Sequence, residues 1–352
     1  MTRLYDNADY IADVRLVATI DVPWEKFNNK KLMLTGATGQ IGSFLVDVLL
    51  YRNMHYGMNC SIFALGRSEN KAKARFGSYL DDIHFVEHDI NEPISGMDIG
   101  SLDYVLHLAS NTHPLAYAND PIGTITTNII GTTNLLDFAL EHGVKRCAFA
   151  SSNEVYGENR GDTEKFDETY CGYIDCNTMR AGYPESKRCG EALCQAYIKQ
   201  KGLDIVIPRL TRTYGPTLLS TDSKALSQFI HKAIAGENIV LKSVGTQYYS
   251  YSYVADAVFG LLTVLLLGEK GEAYNIADEA SDIQLKDLAA LVADSVGKEV
   301  IFEFPDDKEL SGYSKATKAR LDSQKLQKLG WKAQFSIQEG VGRTIRILKN
   351  IR

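Results

Sequence analysis

Short apolar stretches alternate with amphipathic segments from about residue 31 to residue 210. The apolar stretches are, in order, KKLMLTG, CSIFALG, IHFVEHD, LDYVLHLAS, KRCAFASS and LDIVIPRL. Short apolar strands separated by helices are typical of a parallel sheet whose two faces are both covered. Right-handed crossovers then wind the sheet in both directions. The pattern therefore predicts an α/β fold with a doubly wound parallel sheet.

The alternation becomes irregular after Arg209, which predicts a boundary. We expect residues 1–30 to form an N-terminal extension that packs on the domain or on a neighbouring subunit. Residues 31–208 would form the doubly wound domain. Residues 209–352 would form mainly a smaller α/β region over the carboxyl edge of the sheet, with about 250–265 returning to the first domain. The run AVFGLLTVLLLG is too short to cross a bilayer and predicts a core helix.

Composition narrows the class of protein. The 352 residues are 45% hydrophobic and 23% charged, which is ordinary for a soluble globular protein. A net charge of -6 argues against nucleic acid as the main partner, and no secretion signal is visible, so we expect a cytoplasmic protein without a membrane partner. Cys171 and Cys176, like Cys189 and Cys194, match no common zinc spacing, so no metal site is predicted.

The sequence TGATGQIG lies directly between the first predicted strand and an amphipathic helix. Its Gly36, Gly39 and Gly42 have the spacing G-x-x-G-x-x-G. The first glycine allows a tight turn, the second lets backbone approach a pyrophosphate, and the third lets helix and strand pack closely. The motif predicts dinucleotide binding. We place three further residues of this turn against the cofactor, namely Thr38, Gln40 and Ile41.

The end of the second strand lacks the acid that usually binds the adenosine ribose of NAD. Gly66 and Arg67 stand there instead. Arg67 could pair with the 2′-phosphate of NADP or stack on adenine, and a surface arginine is the alternative. Asp89, at the end of the third strand, could hold the adenine amino group, although a solvated loop acid explains it equally well.

The sequence YPESKR places Tyr183 and Lys187 four residues apart, hence on one face of a helix. A lysine ammonium beside a phenol favours the phenolate, so we expect a lowered pKa for Tyr183. Tyr183 would then be a base able to remove a proton from a sugar or alcohol hydroxyl. The stretch SSNEVYG lies about 30 residues upstream, after another predicted strand, and brings Ser152, Asn153 and Glu154 to the same edge of the sheet.

With these motifs the chain resembles the extended short-chain dehydrogenase/reductase family, in particular its nucleotide-sugar epimerases, dehydratases and decarboxylases. The resemblance runs from about Lys31 to near the C-terminus and includes HLAS, NIIGTTNLLD, RLTRTYGP and YSYVADA. It implies a Rossmann domain with a smaller C-terminal substrate-binding region, a tightly bound NAD(P), and pairing of two copies through the helices that carry NLLDFAL and YPESKR. It also implies cofactor contacts at Ile90, Leu108, Ala109, Ser110, Tyr183 and Lys187.

The resemblance also assigns catalytic roles. Ser152 would hydrogen-bond the 4-hydroxyl of the sugar, Tyr183 would be the base, and Lys187 would bind the nicotinamide ribose. A ketone made at C4 opens three routes: return of the hydride to the other face, loss of carbon dioxide from a uronic acid, or loss of the 6-hydroxyl. The related dehydratases use an Asp-Glu pair, and because Asn153 replaces the acid, dehydration is disfavoured. Glu154 could act as an acid or base, or orient the ring.

Two departures from the family concern the substrate. The stretch YCGYIDCNTMRAGYPESKR looks most like UDP-glucuronate decarboxylases, with Arg180 on the family's arginine but Ala181 and Gly182 in place of Ser-Cys. The arginine that usually binds the substrate diphosphate is Tyr249 here. Either Arg212 replaces that charge, or the substrate is not an ordinary nucleoside diphosphate sugar. Tyr249 lies on an alternating tyrosine strand that could stack on the ligand, although a packed strand face is the stronger expectation.

The sequence thus predicts a redox-neutral enzyme acting on a nucleotide sugar through transient oxidation at C4. Epimerisation is the first choice, and decarboxylation of a uronic acid is the alternative. A non-enzymatic dinucleotide-sensing or RNA-associated protein is a third possibility, which the presence of Ser152, Tyr183 and Lys187 argues against. His113, after the fourth strand, is a weaker candidate for a titrating group.

Overall fold

The computed structural model describes residues 4–96, 99–112, 114–303 and 317–351, so His113 lies outside the described residues. The strands are β1 (Lys31–Thr35), β2 (Ser61–Gly66), β3 (His84–Glu87), β4 (Tyr104–His107), β5 (Arg146–Phe149), β6 (Ser151–Ser152), β7 (Ile205–Leu210), β8 (Arg212–Tyr214), β9 (Ile239–Leu241), β10 (Tyr248–Tyr253), β11 (Ala273–Ile276), β12 (Asp278–Gln284), β13 (Val300–Phe302) and β14 (Lys318–Ala319).

Helices cover the strands. They are α1 (Ala8–Ala18), α2 (Gln40–Tyr56), α3 (Glu69–Phe76), α4 (Pro114–Asn119), α5 (Pro121–Glu141), α6 (Gly182–Lys201), α7 (Ala225–Ala235), α8 (Val254–Leu267), α9 (Leu285–Asp294), α10 (Gln324–Gln327) and α11 (Ile337–Asn350).

A large parallel sheet has the order β11-β7-β5-β4-β1-β2-β3, with β6 also pairing with β7. The strand order reverses between β1 and β4, where their carboxyl ends open a crevice. Apolar clusters lie on both faces of the sheet, which explains why its central strands read as continuous apolar runs. The predicted doubly wound α/β fold is confirmed.

A smaller sheet lies after residue 210. It has the order β12-β10-β14, with β8 also pairing with β10, while β9 pairs with β13. The chain passes from the large sheet to the smaller one at Thr211, whose hydroxyl donates to the carbonyl of Ser250 at 2.8 Å. The chain passes between the sheets again after β11. Strand β11 pairs with β7 and so belongs to the large sheet. This return of the chain lies outside residues 250–265, where the return to the first domain was expected.

Helix α8 is buried along almost its whole length, in keeping with the apolar run that predicted it. Within the described ranges, the helices are all too short or too polar to traverse a bilayer.

The N-terminal helix α1 packs against α2 and α8 of the same chain. Tyr10 is fully buried and donates its hydroxyl proton to Asp47 of α2, which also pairs with Arg75. On the other side, Asp13 accepts a hydrogen bond from Tyr253 of β10 at 2.6 Å. Helix α1 is thus hydrogen-bonded to α2 beside the large sheet and to β10 of the smaller sheet. Its buried residues are part of the core.

Replacing Tyr10 by alanine should therefore destabilise the whole protein. Loss of a large buried aromatic side chain lowers the free energy of unfolding by about 3–5 kcal/mol. Urea denaturation measures the difference. Arg15→Ala, an exposed change on the same helix, is the control and should shift the free energy by less than about 0.5 kcal/mol. Equal stability of Tyr10→Ala and the unmodified protein would show that α1 does not pack as described.

Candidate active site

A cavity of about 380 Å³ lies at the carboxyl ends of the large sheet's strands, between that sheet and the smaller one. It brings together most of the residues that the sequence singles out. Those lining it are Gly36, Gly39, Gln40, Ile41, Gly42, Leu108, Ala109, Ser110, Ser152, Asn153, Glu154, Arg180, Tyr183, Lys187, Arg212 and Tyr249.

The glycine turn is shaped by close backbone contacts. Gly36 has φ +73°, and a Cβ there would lie 2.8 Å from the backbone nitrogen of Ala109. A Cβ on Gly42 would lie 2.3 Å from the carbonyl oxygen of Gly36. Gly39 directly precedes α2 and has no side chain to cap it. Backbone N–H groups at the start of this helix therefore remain open to an anion. The Gln40 side-chain nitrogen is buried without a partner among the described residues. These features fit a dinucleotide pyrophosphate.

A chain of hydrogen bonds joins the end of β4 to the helices beside it. The Ser110 hydroxyl donates to the Asn128 side chain at 2.8 Å, and that side chain donates to the Ser186 hydroxyl at 2.9 Å. Ser186 donates in turn to the carbonyl of Tyr183 at 2.9 Å. The cofactor-facing loop and the helix that carries Tyr183 are therefore held in register by Asn128, which is fully buried.

Four of the expected cofactor residues are not among those lining the cavity, and Thr38 is one of them. Arg67 is exposed. Asp89 accepts hydrogen bonds from the backbone and side chain of Asn91 at 3.0 and 3.1 Å, which closes a local turn. Ile90 is buried beside Gly131. The contact of Arg67 with a 2′-phosphate or with adenine, that of Asp89 with the adenine amino group, and the cofactor contacts of Thr38 and Ile90 remain predictions.

Tyr183 and Lys187 lie in the first two turns of α6, and both are buried. The Tyr183 ring stacks on Tyr117, with 5.0 Å between the ring centroids. The Lys187 Nζ donates to the carbonyl of Ala150 at 2.8 Å and lies 4.8 Å from the centroid of the Phe149 ring. The helix thus presents a phenol and an amine to the same cavity.

The pKa expected for Tyr183 is corrected by the structure. Burial raises the pKa of Tyr183 to about 12, and its hydrogen bond with Ser152 opposes only part of that effect. Burial also lowers the pKa of Lys187 to about 8. Desolvation disfavours the charged form of each group and is the largest cause of both pKa shifts.

Ser152 ends β6 and caps the single turn of 3₁₀ helix from Asn153 to Tyr156, which contains Asn153 and Glu154. The Ser152 hydroxyl accepts a hydrogen bond from the backbone N–H of Glu154 at 3.2 Å. The Glu154 carboxylate accepts from Arg180 at 2.7 Å, and the Arg180 guanidinium also lies 4.9 Å from the centroid of Tyr117. Glu154 is therefore held at the cavity wall by the arginine of the segment that precedes Tyr183.

Arg212 and Tyr249 lie on neighbouring strands, β8 and β10. The Arg212 guanidinium stacks 3.4 Å from the centroid of the Tyr249 ring. Tyr249 and Tyr251 both line the cavity, whereas Tyr253 is buried against α1. The tyrosine strand therefore serves partly as cavity wall and partly as packed core.

Sequence reasoning missed the residues that support this site. Glu191 of α6 accepts from the Ser151 hydroxyl at 2.5 Å and receives two hydrogen bonds from Arg209, at 2.9 and 2.7 Å. Arg209 inside an otherwise apolar strand was the available signal, because such a charge needs a buried partner. For Tyr117, which stacks on Tyr183, no local pattern indicates a role.

Comparison with known proteins shows what the chain is similar to. Residues 32–277 match the family model described as "NAD dependent epimerase/dehydratase family". UDP-glucuronic acid decarboxylase 6 of Arabidopsis thaliana is 31% identical over 321 residues, which cover 89% of this chain and 87% of that protein. UDP-glucuronic acid decarboxylase 1 of Xenopus tropicalis is 32% identical over 326 residues, covering 92% and 73% respectively.

A solved structure is similar over nearly the whole fold. The dTDP-glucose 4,6-dehydratase DesIV of Streptomyces venezuelae, determined with NAD bound, has a TM-score of 0.78 and 25% identity. The match covers 91% of this chain and 97% of that one.

Replacing Gly42 by alanine should weaken dinucleotide binding. The new Cβ would meet the Gly36 carbonyl oxygen at 2.3 Å, and since both groups belong to the glycine turn, the turn must shift. We expect NAD affinity, measured by calorimetry, to fall at least about tenfold, which corresponds to about 1.4 kcal/mol. Gly342→Ala is the matched control, because that helical glycine has open space and the change should leave NAD affinity unaltered. Unchanged affinity in Gly42→Ala would contradict the role of the turn.

Lys187 should make stability depend on alkaline pH. Its folded-state pKa of about 8 lies below the ordinary value of about 10.4, so the unfolded chain binds more protons between these two pH values. The free energy of unfolding should therefore rise as pH increases across this window, and the rise should disappear in Lys187→Met. Denaturant titrations from pH 7 to pH 10.5 measure it. Lys199→Met, an exposed change on the same helix, should keep the dependence of stability on pH. The same pH dependence in the unmodified protein, Lys187→Met and Lys199→Met would refute its assignment to Lys187.

Proposed function

The chain belongs to the NAD-dependent epimerase/dehydratase family, and from this premise we propose that it decarboxylates a nucleotide-linked uronic acid of the UDP-glucuronate type. Its cofactor is NAD, and its fold and relatives are those of nucleotide-sugar enzymes. Epimerisation, the first choice from sequence, finds no specific support in the relatives compared, whereas UDP-glucuronic acid decarboxylases match most of the chain. Decarboxylation is therefore the better-supported outcome.

The observation that carries this proposal is the ion pair between Glu154 and Arg180 beside Tyr183. Arg180 belongs to the segment that resembles decarboxylases. It forms an ion pair with Glu154, which stands where dehydratases rely on an Asp-Glu pair. Asn153 stands in place of the aspartic acid. An amide cannot donate a proton to a leaving hydroxyl, so elimination of water is disfavoured.

The first step is loss of the proton from the sugar 4-hydroxyl to Tyr183, with Ser152 as the hydrogen-bonding partner of the same oxygen. When bound at the glycine turn, with Tyr183 and Lys187 beside its nicotinamide ribose, NAD would supply a hydride acceptor for C4, a donor for the return of that hydride, and a positively charged ring. The raised pKa of Tyr183 means that the phenol stays protonated until positive charge enters beside it. Lys187, whose pKa is about 8, can exchange a proton near neutral pH.

The second step follows from the chemistry of the sugar. Once C4 is a ketone, the C6 carboxylate stands beta to a carbonyl group. The bond between C5 and C6 breaks, carbon dioxide leaves, and the electron pair of that bond enters an enolate across C4 and C5. A proton from solvent must then reach C5, through Tyr183 or through a water oriented by Glu154, because the proton that Tyr183 took from O4 is needed again at O4 when the hydride returns.

The test uses the NAD-loaded protein with UDP-glucuronate labelled at C6. Release of labelled carbon dioxide, with a nucleotide sugar shorter by one carbon in the mass spectrum, would support the proposal. An unchanged mass with altered chromatographic retention would instead identify an epimerase, and loss of one water a dehydratase. Binding without turnover of any nucleotide sugar in a UDP, GDP, CDP and dTDP panel would favour the non-enzymatic alternative.

Replacing Tyr183 by phenylalanine should abolish most of the turnover while leaving the fold intact. Loss of a general base lowers kcat by about 100- to 10,000-fold. NAD affinity should change little, since the ring and its stacking on Tyr117 are retained. Tyr197→Phe, which removes an exposed-side hydroxyl bonded to Asp137 on the same helix, is the control for the chemical change. Near-normal kcat in Tyr183→Phe would exclude this residue as the base.

A further inference from the structure

Two guanidinium groups in the cavity wall carry donors without partners. The Nε and Nη1 atoms of Arg180 and the Nη1 atom of Arg212 are buried, and none has a hydrogen-bond partner among the described residues. A buried donor that is left unpaired costs about 1–3 kcal/mol, and more when it is charged. Donors in such positions indicate a ligand that supplies acceptors.

The charges around these donors do not cancel. Glu154 is the carboxylate in contact with Arg180, at 2.7 Å, and it balances one of the two arginines. Asp222, the other carboxylate that lines the cavity, pairs with Lys224 at 3.3 Å. The wall formed by Glu154, Arg180 and Arg212 therefore carries an excess of about one positive charge. It fits a ligand group with a single negative charge.

A second cavity of about 60 Å³ adjoins this wall from the other side. It shares Asn153, Glu154, Arg180 and Arg212 with the main cavity. The two arginines thus stand at a junction between two spaces. Their unpaired donor atoms are themselves shielded from solvent, so a ligand would reach them through a small rotation of the guanidinium groups.

Tyr249 holds Arg212 in place. The guanidinium carbon lies 3.4 Å from the centroid of the Tyr249 ring, and the Nη1 atom of Arg212 has no hydrogen-bond partner among the described residues. Tyr249 stands where related enzymes have an arginine, and Arg212 stands where they often have asparagine. The positive charge has in effect moved from β10 to the adjacent strand β8.

We propose that Arg212, together with Arg180, binds the carboxylate of the uronic acid, so that this chain selects acidic sugars through a guanidinium on β8. This inference rests on the proposed decarboxylase function. The carboxylate is favoured over the diphosphate by position, since Arg180 lies over the Tyr117 ring that stacks on Tyr183, and Arg212 lines the same cavity wall as Arg180. The sugar atoms near Tyr183 are C4 and its neighbours, which include the C6 carboxylate, whereas the diphosphate hangs from C1 across the ring.

The test compares three ligands on NAD-loaded protein by calorimetry: UDP-glucuronate, UDP-glucose and UDP. Arg212→Gln should weaken binding of UDP-glucuronate by about 10- to 100-fold, the range expected for hydrogen bonds to a charged group. Binding of UDP-glucose and UDP should change less than about twofold, because neither carries the carboxylate. Arg212→Lys should recover part of the affinity for UDP-glucuronate alone, since it keeps the charge and loses the planar donors.

Equal weakening of all three ligands would assign Arg212 to the diphosphate and overturn the proposal, as would unchanged affinity for UDP-glucuronate. If Arg212→Gln does not fold, the double variant Arg212→Asn with Tyr249→Arg provides the second test, because it restores the arrangement of related enzymes. That arrangement places the charge where related enzymes bind the diphosphate, so the double variant should lose at least about tenfold of the preference for UDP-glucuronate over UDP-glucose. An unchanged preference would contradict the assignment of the carboxylate to Arg212.

Failure of this inference and failure of the proposed function can be told apart. Selective loss of UDP-glucuronate binding in Arg212→Gln, with no release of carbon dioxide by the unmodified protein, would support the carboxylate site and reject decarboxylation. Release of carbon dioxide with no selective effect of Arg212→Gln would support decarboxylation and reject the carboxylate site.

Discussion

The geometry of the candidate site depends on one largely buried carboxylate, that of Glu191. It accepts hydrogen bonds from the Ser151 hydroxyl of β6 and from the Nε and Nη2 atoms of Arg209 on β7. Because Glu191 lies on α6 one turn beyond Lys187, this contact fixes the helix against the ends of two strands. The distances among Ser152, Tyr183 and Lys187 follow from it. Removing one partner of such a pair leaves the other charge buried and uncompensated, which costs about 3–5 kcal/mol.

Desolvation sets the acid–base properties of the site. It raises the pKa of Tyr183 to about 12 and lowers that of Lys187 to about 8, so both groups are biased towards their neutral forms. A phenol and an amine that resist ionisation are strongly responsive to any charge that enters with a ligand. Under the proposed mechanism, proton transfer from the sugar to Tyr183 would therefore be coupled to ligand binding.

Two arginines of the cavity wall are each held by an aromatic ring, and one of them, Arg212, departs from the sequence pattern that the family resemblance implies. Arg180 is held by Glu154 and by the face of Tyr117, while Arg212 is held by the face of Tyr249. In both cases an aromatic ring fixes the guanidinium plane and leaves part of its edge open. Because a single residue, Thr211, separates β7 from β8, the position of Arg212 is tied directly to the large sheet and to the site that the sheet supports.

The sequence by itself determined the features that depend on neighbouring residues. The glycine spacing specified the turn because a Cβ at Gly42 would collide with Gly36, and the four-residue spacing of Tyr183 and Lys187 put them on one helix face. Apolar periodicity similarly specified the strands of the parallel sheet. Only the tertiary structure decided what depends on distant segments: the pairing of Glu154 with Arg180, the stacking of Tyr117 on Tyr183, and Arg212 over Tyr249. The direction of the Tyr183 pKa shift belongs with these, because desolvation sums over every group that encloses the phenol, and those groups come from the whole chain.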